Sequence, residues 1–577
     1  MDKQPFHQTN GAATNNGCID LKIFSSFFLG LWMSLVACLT SAEEVSEKRG
    51  ISFGLNGVAD WSTQHPFINI MKTARPWIGH LPNQWGGMEF ETMLSDGVFD
   101  AEGWPLRIPD GVDRIESLIL TDQPDDAEHL NGRYYVVFEG KGSLSVTGRA
   151  RVIKREPGLR VFNYSPGPGA VGISIKATDA DDPIRNIRVV REEHLERFQT
   201  GEIFNPLWIE RLADVKSVRF MDWMFTNGSP VQQWEDLPAE TDFSFVWRGV
   251  PLSVMIALAN QIDADPWFNI PHMADDDLVR RFAETVKTGL AKHRIAYVEY
   301  SNEVWNFLFQ QAQWAGEQAE ERWGESGDGW VQYYGFRAGS VMKIWTDVFG
   351  DEVRQRMKRV VAVHTGWPEL EQSILVGENA TNSLGFPPVE LFDAYAVTGY
   401  FGSELGEPDI MSSVLETAIS RAEAEGQAKG LSRVALREYV NENRFEGATD
   451  LAAQKVRQGS LRELTQTRWP YHAEVADRFN LELIMYEGGT HATPIGDAVE
   501  NELLVSFLMD FNYTQQMADL YEEALTSWSG LTGSPFNAFV DVASPSKWGS
   551  WGALRHLSDE NPRWNALRKE HLRARDN

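Results

Sequence analysis

The apolar positions of this chain fall into short strand-length runs separated by longer segments of helical period. The run 51–56 (ISFGLN) is compact, apolar and closed by polar residues, and it predicts a first strand. From residue 204 onward the alternation is regular. Helical patterns at 204–215, 251–264 and 275–290 are interleaved with strand patterns at 217–223 (SVRFMDW), 267–272 (WFNIPH) and 297–302 (YVEYSN). The second helix has Pro251 in its first turn. The third opens on Asp275, Asp276 and Asp277, which suit the positive end of a helix. Further strands are predicted at 359–364, 392–398, 481–486 and 536–542. Helices are predicted at 331–349, 369–376, 500–528 and 562–573, with a long helical excursion over 409–480. Eight strands with interleaved helices predict an α/β fold of the (β/α)₈ TIM-barrel type.

One stretch breaks this rhythm. From about residue 77 to 197, β-type runs such as 134–138 (YYVVF) and 172–175 (GISI) are separated by Gly, Pro and Asp clusters. That spacing predicts a β-sandwich-like domain inserted after the first strand. The organisation expected is 50–88 for the first strand and its loop, 89–197 for the inserted domain, and 198–577 for the rest of the barrel.

The N-terminus reads differently again. Lys22 precedes an apolar run over 23–39, and Thr40-Ser41-Ala42 then offers a small-residue cleavage site. The run is short for a membrane span, so 1–42 is expected to be a signal peptide of an exported protein, secreted, periplasmic or held at the envelope. Leu35-Val36-Ala37-Cys38 resembles a bacterial lipobox, in which Cys38 would carry a lipid anchor. A plain cleaved signal and a retained anchor helix are the alternatives.

Composition narrows the function. The chain has 53 Lys+Arg against 82 Asp+Glu, a net charge of −29, which argues against nucleic acid as a partner. Both cysteines, Cys18 and Cys38, precede the body of the protein, which leaves that body no disulfide and no thiolate metal site. Neither a metal nor a cofactor is expected. The 21 tryptophans exceed what a core needs, and Trp also makes flat platforms for sugar rings. For any single Trp, core packing is the simpler reading.

In a TIM barrel, reactive groups sit at the C-terminal ends of the strands. Strand four runs into Ser301-Asn302-Glu303-Val304-Trp305-Asn306, and strand seven into Glu487-Gly488-Gly489-Thr490-His491. Two carboxyl groups from opposite sides of one barrel mouth are what a retaining glycosidase requires. Tyr300-Ser301-Asn302-Glu303 resembles the strand-four signature of the clan A retaining glycoside hydrolases, and Glu487 matches that clan's nucleophile position. The stretch 251–306 is also similar to exported bacterial proteins labelled cellulose-binding. The resemblance spans roughly 51–76 and 198–577. It implies Glu303 as acid/base, Glu487 as nucleophile and Asn302 as a ligand of the sugar 2-hydroxyl. It further implies Arg219 and Tyr400 beside the nucleophile and Trp548 as a floor under the reacting sugar, with Trp551 undecided. His272 and His364 end strands three and five, where they either bind sugar hydroxyls or serve the structure. Trp367, Trp223 and Trp305 are either platforms or core. The expected partner is a poly- or oligosaccharide, and the expected reaction is hydrolysis of its O-glycosyl bonds with retention. A non-catalytic carbohydrate-binding protein on the same scaffold is the alternative.

Two motifs mislead. Residues 167–172 (GPGAVG) match G-x-G-x-x-G but contain Pro and lead into a strand rather than a helix, so the dinucleotide reading is rejected. Residues 179–182 (DADD) lack the Gly and distal Glu of a calcium loop and are read as an acidic turn.

Overall fold

The computed structural model describes residues 50–324 and 327–576. The apolar N-terminal run, Cys18 and Cys38 lie outside the described residues. Eight parallel strands close into a barrel: β1 (Ile51–Gly54), β2 (Ser217–Arg219), β3 (Asp265–Ile270), β4 (Ala296–Tyr300), β5 (Met357–Ala362), β6 (Ala394–Phe401), β7 (Glu482–Thr490) and β8 (Phe536–Phe539). Each pairs with the next, and β8 returns to β1. The expected (β/α)₈ barrel is therefore observed.

The strands are buried nearly throughout, as parallel strands flanked by helices must be. Helix 276–289 shows how local sequence sets a boundary. Asp275 accepts from the Leu278 amide at 2.7 Å, and Asp276 and Asp277 occupy its first turn. Leu278, Val279, Phe282, Ala283 and Val286 recur at helical spacing and are the buried face.

Several elements differ from expectation. β2 stops at Arg219 because the chain turns at once: the Met224 amide donates to the Phe220 carbonyl and the Phe225 amide to that of Asp222. The first helix shrinks to Pro206–Arg211, with Asn205 as its cap. Helices Gln310–Trp323 and Glu378–Leu384 were not anticipated. The helical stretch 500–528 splits into Glu502–Phe511 and Gln515–Leu531, because Thr514 caps a new start by accepting from the Met517 amide. The excursion 409–480 resolves into Pro408–Ala428, Arg433–Asn443, Ala448–Gln458 and a further run ending with Trp469–Phe479.

Between β1 and β2 lie two antiparallel sheets. One orders its strands Gly87–Met88, Ile78–His80, Arg114–Ile119, Val171–Thr178 and Gly142–Gly148. The other orders Arg185–Arg191, Gly132–Glu139, Leu159–Tyr164 and Arg151–Glu156. Ile115, Ile173 and Ile175 from the first share an apolar core with Tyr134, Val136, Phe162 and Val189 from the second. That core reaches back to Ile70 and out to Phe243 in the loop after β2, which stacks on Trp77 at 5.7 Å. It therefore draws on residues either side of 89–197. The acidic segment is a turn, with the Asp181 amide donating to Asp179 at 2.9 Å.

Among the described residues, no helix is long and apolar enough to cross a membrane. Among the same residues, no group of three or more His, Cys, Asp or Glu side chains is placed to hold a metal ion.

Candidate active site

The site begins at the end of β4. Ser301 and Glu303 both adopt left-handed backbone, with φ of 58° and 44°. Non-glycine residues rarely hold that conformation, and it clusters at functional sites. It breaks the strand's alternation, so that Asn302 turns inward to Arg219 while Glu303 reaches the barrel mouth. The loop is pinned: Asn306 Nδ2 donates to Glu303 Oε2 at 3.0 Å, and the Asn306 amide donates to the Glu303 carbonyl at 2.8 Å.

Arg219, the last residue of β2, is fully buried and organises the floor. Its Nη1 donates to Glu487 Oε1 at 2.7 Å. Its Nε and Nη2 hold Glu299 on β4 at 3.0 and 2.8 Å, and Nη2 also donates to Asn302 Oδ1 at 2.9 Å. Trp267 Nε1 and Asn269 Nδ2, both on β3, complete the Glu299 carboxylate at 2.8 Å each. A buried guanidinium facing two carboxylates needs this degree of saturation, because an unpaired charge here is costly.

Glu487 lies inside β7, which runs on to Thr490 rather than ending at Tyr486. The β6–β7 register slips between Val397 and Thr398, so that Val397 faces Met485 while Thr398 faces Glu487. Such a bulge lets two consecutive side chains escape strict alternation. Tyr486 and Glu487 consequently both face the same cavity. Tyr486 OH donates to Glu303 Oε1 at 2.8 Å, while Tyr400 OH, near the end of β6, donates to Glu487 Oε2 at 2.9 Å. The two carboxyl groups are thus held by different donors: Glu487 by a cation and a phenol, Glu303 by a phenol and an amide.

The cavity is about 290 Å³, and its lining includes Glu303, Asn306, His364, Tyr400, Glu487 and Trp551. Burial pushes the Glu487 carboxyl up to about 8. Arg219 and the Tyr400 hydroxyl oppose the push, and the neighbouring Glu303 adds to it. The site therefore resists a second negative charge.

Other expected residues fall in different places. His364 lines the cavity. His272 does not; it is buried edge-on to Trp314 at 5.3 Å, and burial pulls its imidazole down to about 4, so it stays neutral. Asn302 is buried beneath the cavity, where its Nδ2 donates to Asn227 at 3.1 Å. Trp548 is 65% exposed, with the Lys547 ammonium 5.1 Å above its ring, and it does not line the cavity. Trp551 lines it instead, and meets Tyr400 and His491 edge-on at 6.2 and 5.3 Å. A tight turn bridging Ser546 and Gly549 throws Trp548 outward. Glycine is required at 549, where a Cβ would stand 2.3 Å from the Trp551 ring. Trp223 and Trp305 are buried, while Trp367 is 48% exposed.

Sequence reasoning missed Glu299, Tyr486 and Asn306, and also His491 and Thr365, which line the cavity. Tyr486 and Asn306 stand one and three residues from the two carboxylates, yet only the bulge and the left-handed turn aim them at the site.

The class this geometry defines is a (β/α)₈ barrel with a saturated carboxylate–guanidinium floor and two carboxyl groups at its C-terminal mouth. No known family model and no curated protein matches the chain. Among solved structures, one from a study of two fungal β-1,4-galactanases aligns at 12% identity. The alignment covers 65% of this chain and 95% of that one with a TM-score of 0.29, a likeness too distant to bear on activity.

Proposed function

We propose that the protein is a retaining glycoside hydrolase that cleaves O-glycosidic bonds of a poly- or oligosaccharide by double displacement. The observation that carries this reading is the asymmetry of the two carboxyl groups facing one cavity. Glu487 accepts from the guanidinium of Arg219 and from Tyr400 OH, which oppose the upward push of burial on its carboxyl. Glu303 meets only neutral donors.

In the first step a Glu487 oxygen attacks the anomeric carbon. The bond to the leaving oxygen breaks as that oxygen takes the Glu303 proton, and a glycosyl ester forms on Glu487. In the second step water attacks the same carbon and gives its proton to Glu303. The ester bond breaks as the new bond forms, which returns the Glu487 carboxylate. Tyr400 and Arg219 stay hydrogen-bonded to the Glu487 carboxyl and hold it in place. Such a mechanism needs the two carboxyl groups roughly 5 Å apart.

The test uses both residues. Glu487→Gln should abolish turnover by several orders of magnitude while leaving the fold intact. Glu303→Ala should cripple natural glycosides but spare the first step on glycosides with acidic phenol leaving groups. Added azide should then accelerate turnover and yield a glycosyl azide of retained configuration. A folded Glu303→Ala protein that is equally impaired on both substrate types and indifferent to azide would overturn the assignment. A Glu487→Gln protein near wild-type activity would do the same.

A further inference from the structure

An exposed aromatic cluster adjoins the cavity on its β4–β5 side. Phe307 follows Asn306 directly, and Trp367 follows Gly366; both Asn306 and Gly366 line the cavity. Phe307 is 53% exposed, Leu308 89% and Trp367 48%. Trp330, at the start of helix Gly329–Phe349, joins them. Its ring lies 5.3 Å from that of Phe307 and 6.4 Å from that of Trp367. A contiguous exposed apolar patch at the rim of a polar cavity marks a binding surface.

The patch is built rather than loose. Leu308 N donates to Asn306 Oδ1 at 3.1 Å, Gln313 Nε2 donates to the Phe307 carbonyl at 3.2 Å, and the Phe309 amide donates to the Asn306 carbonyl at 2.9 Å. Across the gap, Trp367 N donates to the His364 carbonyl at 3.0 Å. The loop that carries Phe307 is also the loop that positions Glu303.

That linkage orients the patch. A group that protonates the leaving oxygen must sit on the leaving-group side of the scissile bond, and the nucleophile stands across the sugar from it. Phe307 is four residues beyond Glu303, and β5 is the strand next to β4, whereas Glu487 is three strands away on β7. A pyranose ring presents C–H faces that stack on aromatic rings and leaves its hydroxyls free at the edge. We propose that Phe307, Trp330 and Trp367 form a preformed platform for the sugar units of the leaving group, so that the substrate is a chain continuing past the cleaved bond. The orientation of this platform rests on the hydrolase reading; its capacity to bind sugar does not.

The experiment measures binding without turnover. The Glu487→Gln protein is titrated by calorimetry with cellohexaose, xylohexaose, mannohexaose and β-1,4-galactohexaose. At least one should bind, and adding Trp367→Ala or Phe307→Ala should weaken that hexasaccharide about tenfold or more. Trp367→Phe, which keeps an aromatic face, should restore most of the affinity. In the active protein, kcat/KM should climb as sugars are added to the leaving group, and Trp367→Ala should flatten the climb. Binding by none of the four sugars, or equal affinity in a folded Trp367→Ala variant, overturns the platform. So does self-association that sedimentation shows to depend on Trp367, since the patch would then cover a second copy. Sugar binding that needs Trp367 in a wild-type protein without hydrolytic activity keeps the platform and overturns the hydrolase reading instead.

Discussion

At the scale of single residues, the site turns on how much negative charge it tolerates. Glu487 sits beside Glu303 and Asp222, and Arg219 answers them with a positive charge. With its carboxyl raised to about 8, folded Glu487 keeps a proton that the unfolded chain releases near pH 4.5. The stabilisation this brings is complete below about pH 4.5 and is lost as pH rises through about 8. The same proton matters for turnover, because Glu487 must lose it before its oxygen can attack the anomeric carbon. The kcat/KM for an aryl glycoside should therefore rise as pH rises toward about 8. A profile that stays level below pH 8 would show that no Glu487 proton has to leave. These pairings also explain which residues were legible. Asn302 and Glu303 stand in a recognisable strand-end pattern, and Glu487 follows an apolar run. Glu299, one turn of the strand below, has no sequence mark that separates it from a surface carboxylate; only the barrel interior gives it Arg219 as a partner.

At the scale of elements, the helices around the barrel are set by caps and by close approach. Gly335 sits in the middle of helix Gly329–Phe349, where intrinsic propensity would favour alanine by about 1 kcal/mol. A Cβ there would stand 2.1 Å from the carbonyl oxygen of Ile374 in helix Leu370–Val376, and neither backbone can yield cheaply. Gly335→Ala should thus destabilise the protein, by about 1–3 kcal/mol on the scale of an overpacked contact. A lower urea midpoint with an unchanged slope is the expected result, and a higher midpoint would mean that helix propensity wins. Strand positions were readable because buried parallel strands form short apolar runs. The helix Gln310–Trp323 was not, since its burial rests on small residues and a glutamine (Gln311, Ala312, Ala315, Ala319) that make no strong apolar period.

At the scale of the whole molecule, the inserted sheets are joined to the barrel through a group of histidines. His65 follows β1, His129 lies in the insertion and His556 lies after β8. Their rings pack in sequence at 6.0 and 6.1 Å. His65 Nε2 bonds Gln123 at 2.9 Å, and His556 faces Asp126 at 3.2 Å. Burial pulls His65 down to about 4, and His129 lower again, with Arg191 and Arg211 adding to the effect on His129. A lowered histidine is neutral in the fold and charged in the unfolded chain below pH 6.5. Its stabilisation is present above that pH and is lost as pH falls toward about 4. For His65 the loss is roughly 3 kcal/mol across that window. His65→Asn should flatten the acid limb of stability, measured by denaturant unfolding at pH 7 and pH 5. Asparagine also tolerates the left-handed backbone at this position, where φ is 40°. An acid limb as steep as the wild type's would remove the histidines from the account.

What the sequence determined by itself was whatever depends on local order. Apolar periodicity specified eight strands and most of their helices. The break in that rhythm marked the insertion, and strand-end position singled out Glu303 and Glu487. What only the tertiary structure decided was direction. A register slip of one residue in β7 turns Tyr486 toward Glu303, and a left-handed turn sends Asn302 down and Glu303 up. A glycine-dependent turn after β8 brings Trp551 to the cavity and leaves Trp548 in solvent. Periodicity encodes which residues are buried. Which of two adjacent side chains reaches a shared cavity depends on contacts between separate elements, such as Val397 with Met485 across β6 and β7, and no local pattern records those contacts.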